Sequence, residues 1–254
     1  MGGAAVVTGS ARGIGRAIAL QLAEDGYDVV VNGSKPSDAL DETAELVRAK
    51  GRAAATVAAD VGDLGSHEAL LAAAAEFGGL ACLVNNAGVS VLSRGDMLDA
   101  SPESYDRCMA INVRGAFFLT QRAAKAMLAA KPDSDGHRSI IWVTSINATA
   151  LSINRGEYCV SKAAASMAAR LYALRLADSG IGCYEIQPGI IKTDMTAPSQ
   201  EKYDRLIAEG LVPQKRWGEG EDIARAASAI AAGRLSFAVG QSLQLDGGLA
   251  VARF

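Results

Sequence analysis

Histidine is nearly absent from this chain of 254 residues: His67 and His137 are the only two. One falls at a helix start and the other in a polar loop, and neither has a metal or triad partner at a usable spacing. The four cysteines (Cys82, Cys108, Cys159, Cys183) show no metal or redox spacing and read as buried free thiols, so no metal is expected. Aromatic residues are only 5% of a chain that is 50% hydrophobic, so its core must be packed largely from small aliphatic side chains. No uninterrupted apolar run approaches a bilayer span. The start, Met1-Gly2-Gly3-Ala4-Ala5-Val6, lacks the basic region of a signal peptide, and Val6 stands where a myristoylation signal needs Ser or Thr. A net charge of −3 gives no electrostatic case for nucleic acid or an anionic membrane. Neither a G-x-S-x-G elbow nor a Walker loop is present. The chain is expected to be a cytoplasmic protein that binds neither membrane nor nucleic acid.

What is present alternates. Short apolar strands at Ala4–Thr8, Asp28–Val31, Ala53–Ala58, Leu80–Val84, Ser139–Val143, Ile181–Ile186 and Ser242–Leu245 are separated by helical patterns. The helices read as Ile14 to about Gly26, Ser37–Lys50, Ser66–Phe77, a long stretch Pro102–Ala130 broken near Asn112, the run after Tyr158, and Glu221–Ala232. Such alternation with short connections predicts an α/β fold with a doubly wound parallel sheet and helices on both faces. Residues 1–254 read as a single domain, and the segment 193–218 breaks the alternation as a small substrate lid would.

Two stretches carry chemistry on their own residues. Thr8-Gly9-Ser10-Ala11-Arg12-Gly13-Ile14-Gly15 lies between the first strand and a helix, where backbone N–H groups and the helix dipole suit a pyrophosphate. Gly9 permits the tight turn, and Gly13 and Gly15 permit close backbone approach; the spacing G-x-x-x-G-x-G departs from the usual G-x-G-x-x-G. The second stretch is Tyr158-Cys159-Val160-Ser161-Lys162. On a helix, Tyr158 and Lys162 share one face, one turn apart. A phenol alone is a poor proton donor or acceptor at neutral pH, and a fixed ammonium beside it favours its ionised form. Desolvation opposes this, so a second cation is expected.

Thr8 to Gly15, Asn85-Asn86-Ala87-Gly88, Ser145 and Tyr158-x-x-x-Lys162, in this order, resemble the short-chain dehydrogenase/reductase family, whose fold is Rossmann-like. The resemblance extends over the whole chain through Asp60-Val61, Ile111-Asn112-Val113-x-Gly115-x-Phe117, Pro188-Gly189-x-x-x-Thr193 and Asp246-Gly247-Gly248. It implies a hydride transfer between a nicotinamide cofactor and a carbonyl or secondary alcohol. Tyr158 would be the general acid or base, and Lys162 would hold the nicotinamide ribose. Ser145 would polarise the substrate oxygen, and Asn112 would anchor a water that relays protons. The oxidised nicotinamide would be the second cation. The cofactor would rest on Gly9, Arg12, Gly13, Ile14 and Gly15, with Asp60 and Val61 at the adenine and Asn86, Ala87 and Gly88 at the ribose. Pro188, Gly189, Ile191 and Thr193 would orient the carboxamide. A non-catalytic nucleotide sensor of this fold would normally lack the tyrosine or the lysine, and this chain has both.

The second strand ends Asn32-Gly33-Ser34-Lys35, with no acid before Asp38 to take ribose hydroxyls and repel a 2′-phosphate. Arg12 and Lys35 could face that phosphate, which favours NADP(H) over NAD(H), although Asn32 could still bind a bare ribose. For the substrate, the pattern resembles the 3-oxoacyl-(acyl-carrier-protein) reductase branch; sugar, polyol and hydroxy-acid dehydrogenases share the same features. In the segment Lys131 to Arg138, Asp133 and Asp135 cancel Lys131 and Arg138, which argues against an acidic carrier partner. Ser90, Ser93, Arg94, Asn147, Asn154, Arg155 and Glu157 suggest a polar pocket for a small hydroxylated or acidic substrate. Ala123, Ala124, Ala126, Ala129 and Ala130, with Ala163, Ala164, Ala165, Ala168 and Ala169, read as small apolar helix faces that a homotetramer would cover.

Overall fold

A computed structural model describes residues 3–130 and 137–252. Strands β1 (Ala4–Val7), β2 (Asp28–Gly33), β3 (Ala54–Ala58), β4 (Leu80–Asn85), β5 (Arg138–Val143), β6 (Ile181–Pro188) and β7 (Ser242–Leu245) form one sheet in the order β3-β2-β1-β4-β5-β6-β7. Every pairing is parallel. The order reverses direction between β1 and β4, which opens a crevice at the C-terminal edge of the sheet.

Both faces of the sheet are buried, which is why its central strands read as continuous apolar runs. Ala5, Val7, Val29, Val31, Val84 and Ile141 face α1 (Gly13–Glu24), α2 (Asp38–Ala49) and α8 (Gly220–Ala231). Their neighbours Ala4, Val6, Val30, Leu83 and Ile140 face α3 (His67–Glu76), α5 (Ala116–Ala129) and α6 (Gly156–Leu176). Sharp helix starts fix the connections: Ser37 accepts from the N–H of Leu40 at the head of α2, and Ser101 from that of Ser104 at the head of α4 (Pro102–Met109).

The predicted break near Asn112 is a π segment, Ala110–Gly115, that joins α4 to α5 without interruption. A close crossing accompanies it: a Cβ on Gly115 would stand 2.3 Å from the carbonyl oxygen of Val61. The same carbonyl lies 2.8 Å from Nε2 of His67, a fully buried ring whose pKa is lowered chiefly by desolvation. Cys82, Cys108 and Cys183 are buried free thiols, while Cys159 is only half-buried. Burial pushes Cys82 and Cys183 up to about 12, which makes them inert.

The segment 193–218, which the sequence suggests as a lid, is a loop closed at its base, where Lys192 N–H donates to Gly218 O and Gly218 N–H to Ile190 O. It contains α7 (Gln200–Ala208), held to the returning chain by Trp217, whose Nε1 donates to Asp204 and whose ring packs edge-on against Tyr203. The turn at Asp246-Gly247-Gly248 buttresses that return: a Cβ on Gly247 would meet Val212, and one on Gly248 would meet Pro213. Among the described residues, no helix is long and apolar enough to cross a membrane.

Candidate active site

Four elements bring the chemistry-bearing side chains to the C-terminal edge of the sheet. Tyr158 and Lys162 lie in the first two turns of α6, both buried. Lys162 Nζ donates to the carbonyl of Val143 at the end of β5, at 3.3 Å, and lies 5.7 Å from the centroid of the Tyr158 ring. Ser145, two residues beyond Val143, is also buried and accepts from the N–H of Asn147, capping a short turn. Asn112 reaches in from the π segment. Its Nδ2 donates to Ser161 Oγ at 2.9 Å and Val89 O at 3.0 Å, while its Oδ1 accepts from Val89 N–H at 2.8 Å. Ser161 Oγ in turn donates to the carbonyl of Tyr158. A Cβ on Gly88 would stand 3.3 Å from Asn112 Oδ1 and 3.4 Å from Lys162 Nζ, so the β4 loop, α6 and the π segment converge there.

The glycine loop is locked to β4 through Thr8. Its hydroxyl donates to Val84 O and accepts from the N–H groups of Asn86 and Ala87, and the amide of Asn86 donates back to Thr8 O and Gly9 O. Gly9, with φ 65°, turns where a Cβ would meet the backbone of Ala87 at 2.9 Å. Gly15 packs hardest, since its Cβ would stand 2.3 Å from Gly9 O. Gly13 is exposed, with φ 56°, and Thr193 at the base of the lid lies across from it. The N-cap of α1, Arg12, makes no side-chain cap, which leaves the first N–H groups of the helix, including that of Ile14, open to an anion.

Asn32 requires a correction. It is 1% exposed, its Nδ2 donates among the carbonyls of Gly33, Val57 and Ala59, and its Oδ1 accepts from Gly9 N–H. The side chain therefore fastens β2 to β3 and the glycine loop, and no donor remains for a ribose hydroxyl. Lys35, by contrast, is exposed, and Arg12 pairs with Asp194 of the lid at 3.3 Å. Asp60 caps its own turn by accepting from Gly62 N–H, and Val61 is buried under Gly115. At the end of β6, Gly189 packs against Asp246 and Ile191 is buried.

The expected polar pocket is revised at two of its residues. Glu157 turns away to α4, where its Oε1 accepts from Ser104 Oγ at 2.6 Å, and Asn147 donates to Ala150 O. The surrounding loops expose Leu92, Met97, Leu98, Leu151 and Ile153 together with Ser93, Arg94, Asp96 and Asp99. The segment Lys131–Gly136 lies outside the described residues.

Sequence reasoning passed over Glu185. This carboxylate on β6 is 1% exposed and accepts from Thr144 Oγ1, Ser166 Oγ and Ser242 Oγ. It thereby ties the residue before Ser145 to α6, one turn beyond Lys162. An acid in an otherwise apolar strand (Ile181-Gly182-Cys183-Tyr184-Glu185-Ile186) was the available signal.

The family model described as enoyl-(acyl carrier protein) reductase matches residues 9–250. A 3-oxoacyl-[acyl-carrier-protein] reductase from Staphylococcus epidermidis is 32% identical over 252 residues, 98% of this chain and 99% of that protein. This chain belongs to the short-chain dehydrogenase/reductase family. An L-rhamnose 1-dehydrogenase (NAD(P)(+)) from Azotobacter vinelandii is 36% identical over 253 residues, 97% of this chain and 96% of that protein. The crystal structure of a 3-oxoacyl-[acyl-carrier protein] reductase from Brucella melitensis in complex with NAD superposes with a TM-score of 0.95 at 41% identity, covering 100% of this chain and 99% of the other. As a short-chain dehydrogenase/reductase, the protein is an NAD(P)-dependent oxidoreductase with a Rossmann-like parallel sheet.

Proposed function

We propose that this short-chain dehydrogenase/reductase interconverts a free 3-oxoacyl-type ketone and its secondary alcohol with NADP(H) in preference to NAD(H). The observation that carries the reading is Lys162 held on Val143 O, two residues before Ser145, with its Nζ 5.7 Å from the centroid of the Tyr158 ring. Tyr158 gives its proton to the substrate oxygen, or takes one from an alcohol, and Ser145 donates a hydrogen bond to the same oxygen as charge develops. Lys162 has two further N–H groups for the ribose hydroxyls of the nucleotide. Bound there, the nicotinamide would supply or accept the hydride. The Nδ2 of Asn112 is taken up by Val89 O and Ser161 Oγ, so a relay water at this residue would be held by an acceptor oxygen.

Gly9, Gly13, Ile14 and Gly15 would hold the pyrophosphate, and Asp60, Val61, Asn86, Ala87 and Gly88 the adenosine half. Pro188, Gly189, Ile191 and Thr193 would border the carboxamide. Exposed Arg12 and Lys35, with no acid at the end of β2, support a 2′-phosphate. A sugar, polyol or hydroxy-acid dehydrogenase reading uses the same groups, and the L-rhamnose dehydrogenase relative favours it.

One panel tests these readings: kcat/KM for an acetoacetyl carrier, a small acetoacetyl thioester, free oxo acids and sugars, each with both nucleotides. The expected outcome is faster turnover with NADPH and with small free compounds, with little dependence on salt. A carrier preference of about a hundredfold that moderate salt erases would overturn the substrate reading. Equal use of NADH would overturn the cofactor reading.

A cytoplasmic homotetramer is part of the same proposal, on revised grounds. Ala123, Ala124, Ala165, Ala168 and Ala169 are buried within the chain itself, while Ala126, Ala129, Ala130 and Ala163 are exposed. The outward faces of α5 and α6 also carry Leu128, Val160, Met167, Leu171 and Leu174, from 47% to 77% exposed. Light scattering at micromolar protein should give four times the mass of the chain, and a monomer would remove the idea.

A further inference from the structure

The site contains one cation that this chemistry does not use. Arg155 ends the short turn Ile153–Arg155 that leads into α6, and its guanidinium carbon lies 5.3 Å from the centroid of the Tyr158 ring. Its Nε donates to Ser152 Oγ at 3.3 Å, and that hydroxyl donates to Asn154 Oδ1 at 2.9 Å. Arg155 is half-buried and has no carboxylate at ion-pair distance among the described residues. The nearest acid in the chain, Glu157, is turned onto Ser104. Lys162, the other cation at the ring, donates to Val143 O and keeps its remaining N–H groups for the ribose.

A guanidinium held on an aromatic face with its two terminal nitrogens unused is a preformed carboxylate clamp. Met97 lies against Gly156, and the adjoining turns expose Leu98, Leu151 and Ile153 beside Arg94, Asp96 and Asp99. The Tyr158 hydroxyl sits on the rim of the same ring. A substrate whose reacting oxygen meets that hydroxyl would bring a group a few carbons away within reach of a guanidinium over the ring.

We propose that Arg155 is the specificity-determining residue of this site and takes the carboxylate of a small 2- or 3-oxo acid, or of the matching hydroxy acid. This rests on the reading of Tyr158 as the proton-transferring group. A neutral ketone or ester gives the clamp nothing to bind. A carrier thioester likewise replaces the charge with an uncharged group.

The test compares acetoacetate and 2-oxobutyrate with their methyl esters, in wild type, Arg155→Met and Arg155→Lys, with NADPH. Wild type should prefer the better of the two acids over its ester by about 30- to 100-fold in kcat/KM, mostly through KM. Arg155→Met should bring the acid down to the level of the ester, and Arg155→Lys should recover part of the difference. An ester used as well as its acid by wild type, or an acid preference that survives Arg155→Met, overturns the proposal. Calorimetric titration of both acids into the protein with bound NADP⁺ separates this inference from the reaction class. If nothing turns over, yet an acid binds wild type at least about tenfold more tightly than Arg155→Met, the clamp stands and the reductase reading falls. If neither acid binds, or both proteins bind alike, the clamp falls too.

Discussion

Tyr158→Phe should lose about a thousandfold or more in kcat while binding the nucleotide as wild type does. The substitution removes one oxygen from a buried ring and leaves its packing in place, so the missing function is proton transfer, which contributes about 10²- to 10⁴-fold. Lys162→Ala should differ in kind. It removes the partner of Val143 O together with the group proposed to hold the ribose, so nucleotide affinity should fall along with kcat. Stopped-flow turnover and nucleotide titration on the two variants check both statements. A Phe variant that keeps more than about a tenth of wild-type kcat would remove Tyr158 from the acid–base role.

Gly15→Ala should be the most damaging single-methyl change near the cofactor cradle. The added carbon would stand 2.3 Å from Gly9 O and 2.5 Å from Asn86 Nδ2. Gly9 O cannot retreat alone, because Asn86, Thr8 and Asn32 tie the loop to β4 and β2. The helix or the loop must shift, at a cost of about 3 kcal/mol, near the upper end for overpacking. Nucleotide affinity should fall at least about tenfold, since the N–H groups at the head of α1 move with it. Gly95→Ala is the control: nothing lies within 4 Å of its added carbon, and its stability should stay within about 0.5 kcal/mol of wild type. Urea unfolding of the two variants decides it; equal stability would mean that the loop yields far more easily than its hydrogen bonds imply.

How far the residues alone could be read depended on how local each feature is. The Tyr158–Lys162 pair follows from helical spacing, and the sheet from apolar runs buried on both faces, so both were legible. Asn32 was not: as a polar residue at a strand end it reads as a ligand for ribose, and only the arrival of β3 and the glycine loop shows where its amide points. Glu157 and Arg155 are two residues apart, yet one turns onto α4 and the other onto the Tyr158 ring. Sequence order places both near the pocket and cannot assign their directions. The alanines of α5 and α6 divide for a related reason. Ala123, Ala124, Ala165, Ala168 and Ala169 pack against the chain's own sheet while Ala126, Ala129, Ala130 and Ala163 are exposed, and residue type alone does not separate the two sets.

The burial of Asn32 has a consequence for how such a protein can change its diet of nucleotides. Residues that stitch strands together cannot be altered without loosening the sheet, whereas exposed Ser34 and Lys35 just beyond them can. Divergence between the two nicotinamide currencies is therefore open at Ser34 and Lys35 and closed two residues earlier, at Asn32. An acid introduced at Ser34 is an accessible step for evolution or for an engineer; an acid at Asn32 would have to be accommodated by rebuilding three strand ends at once.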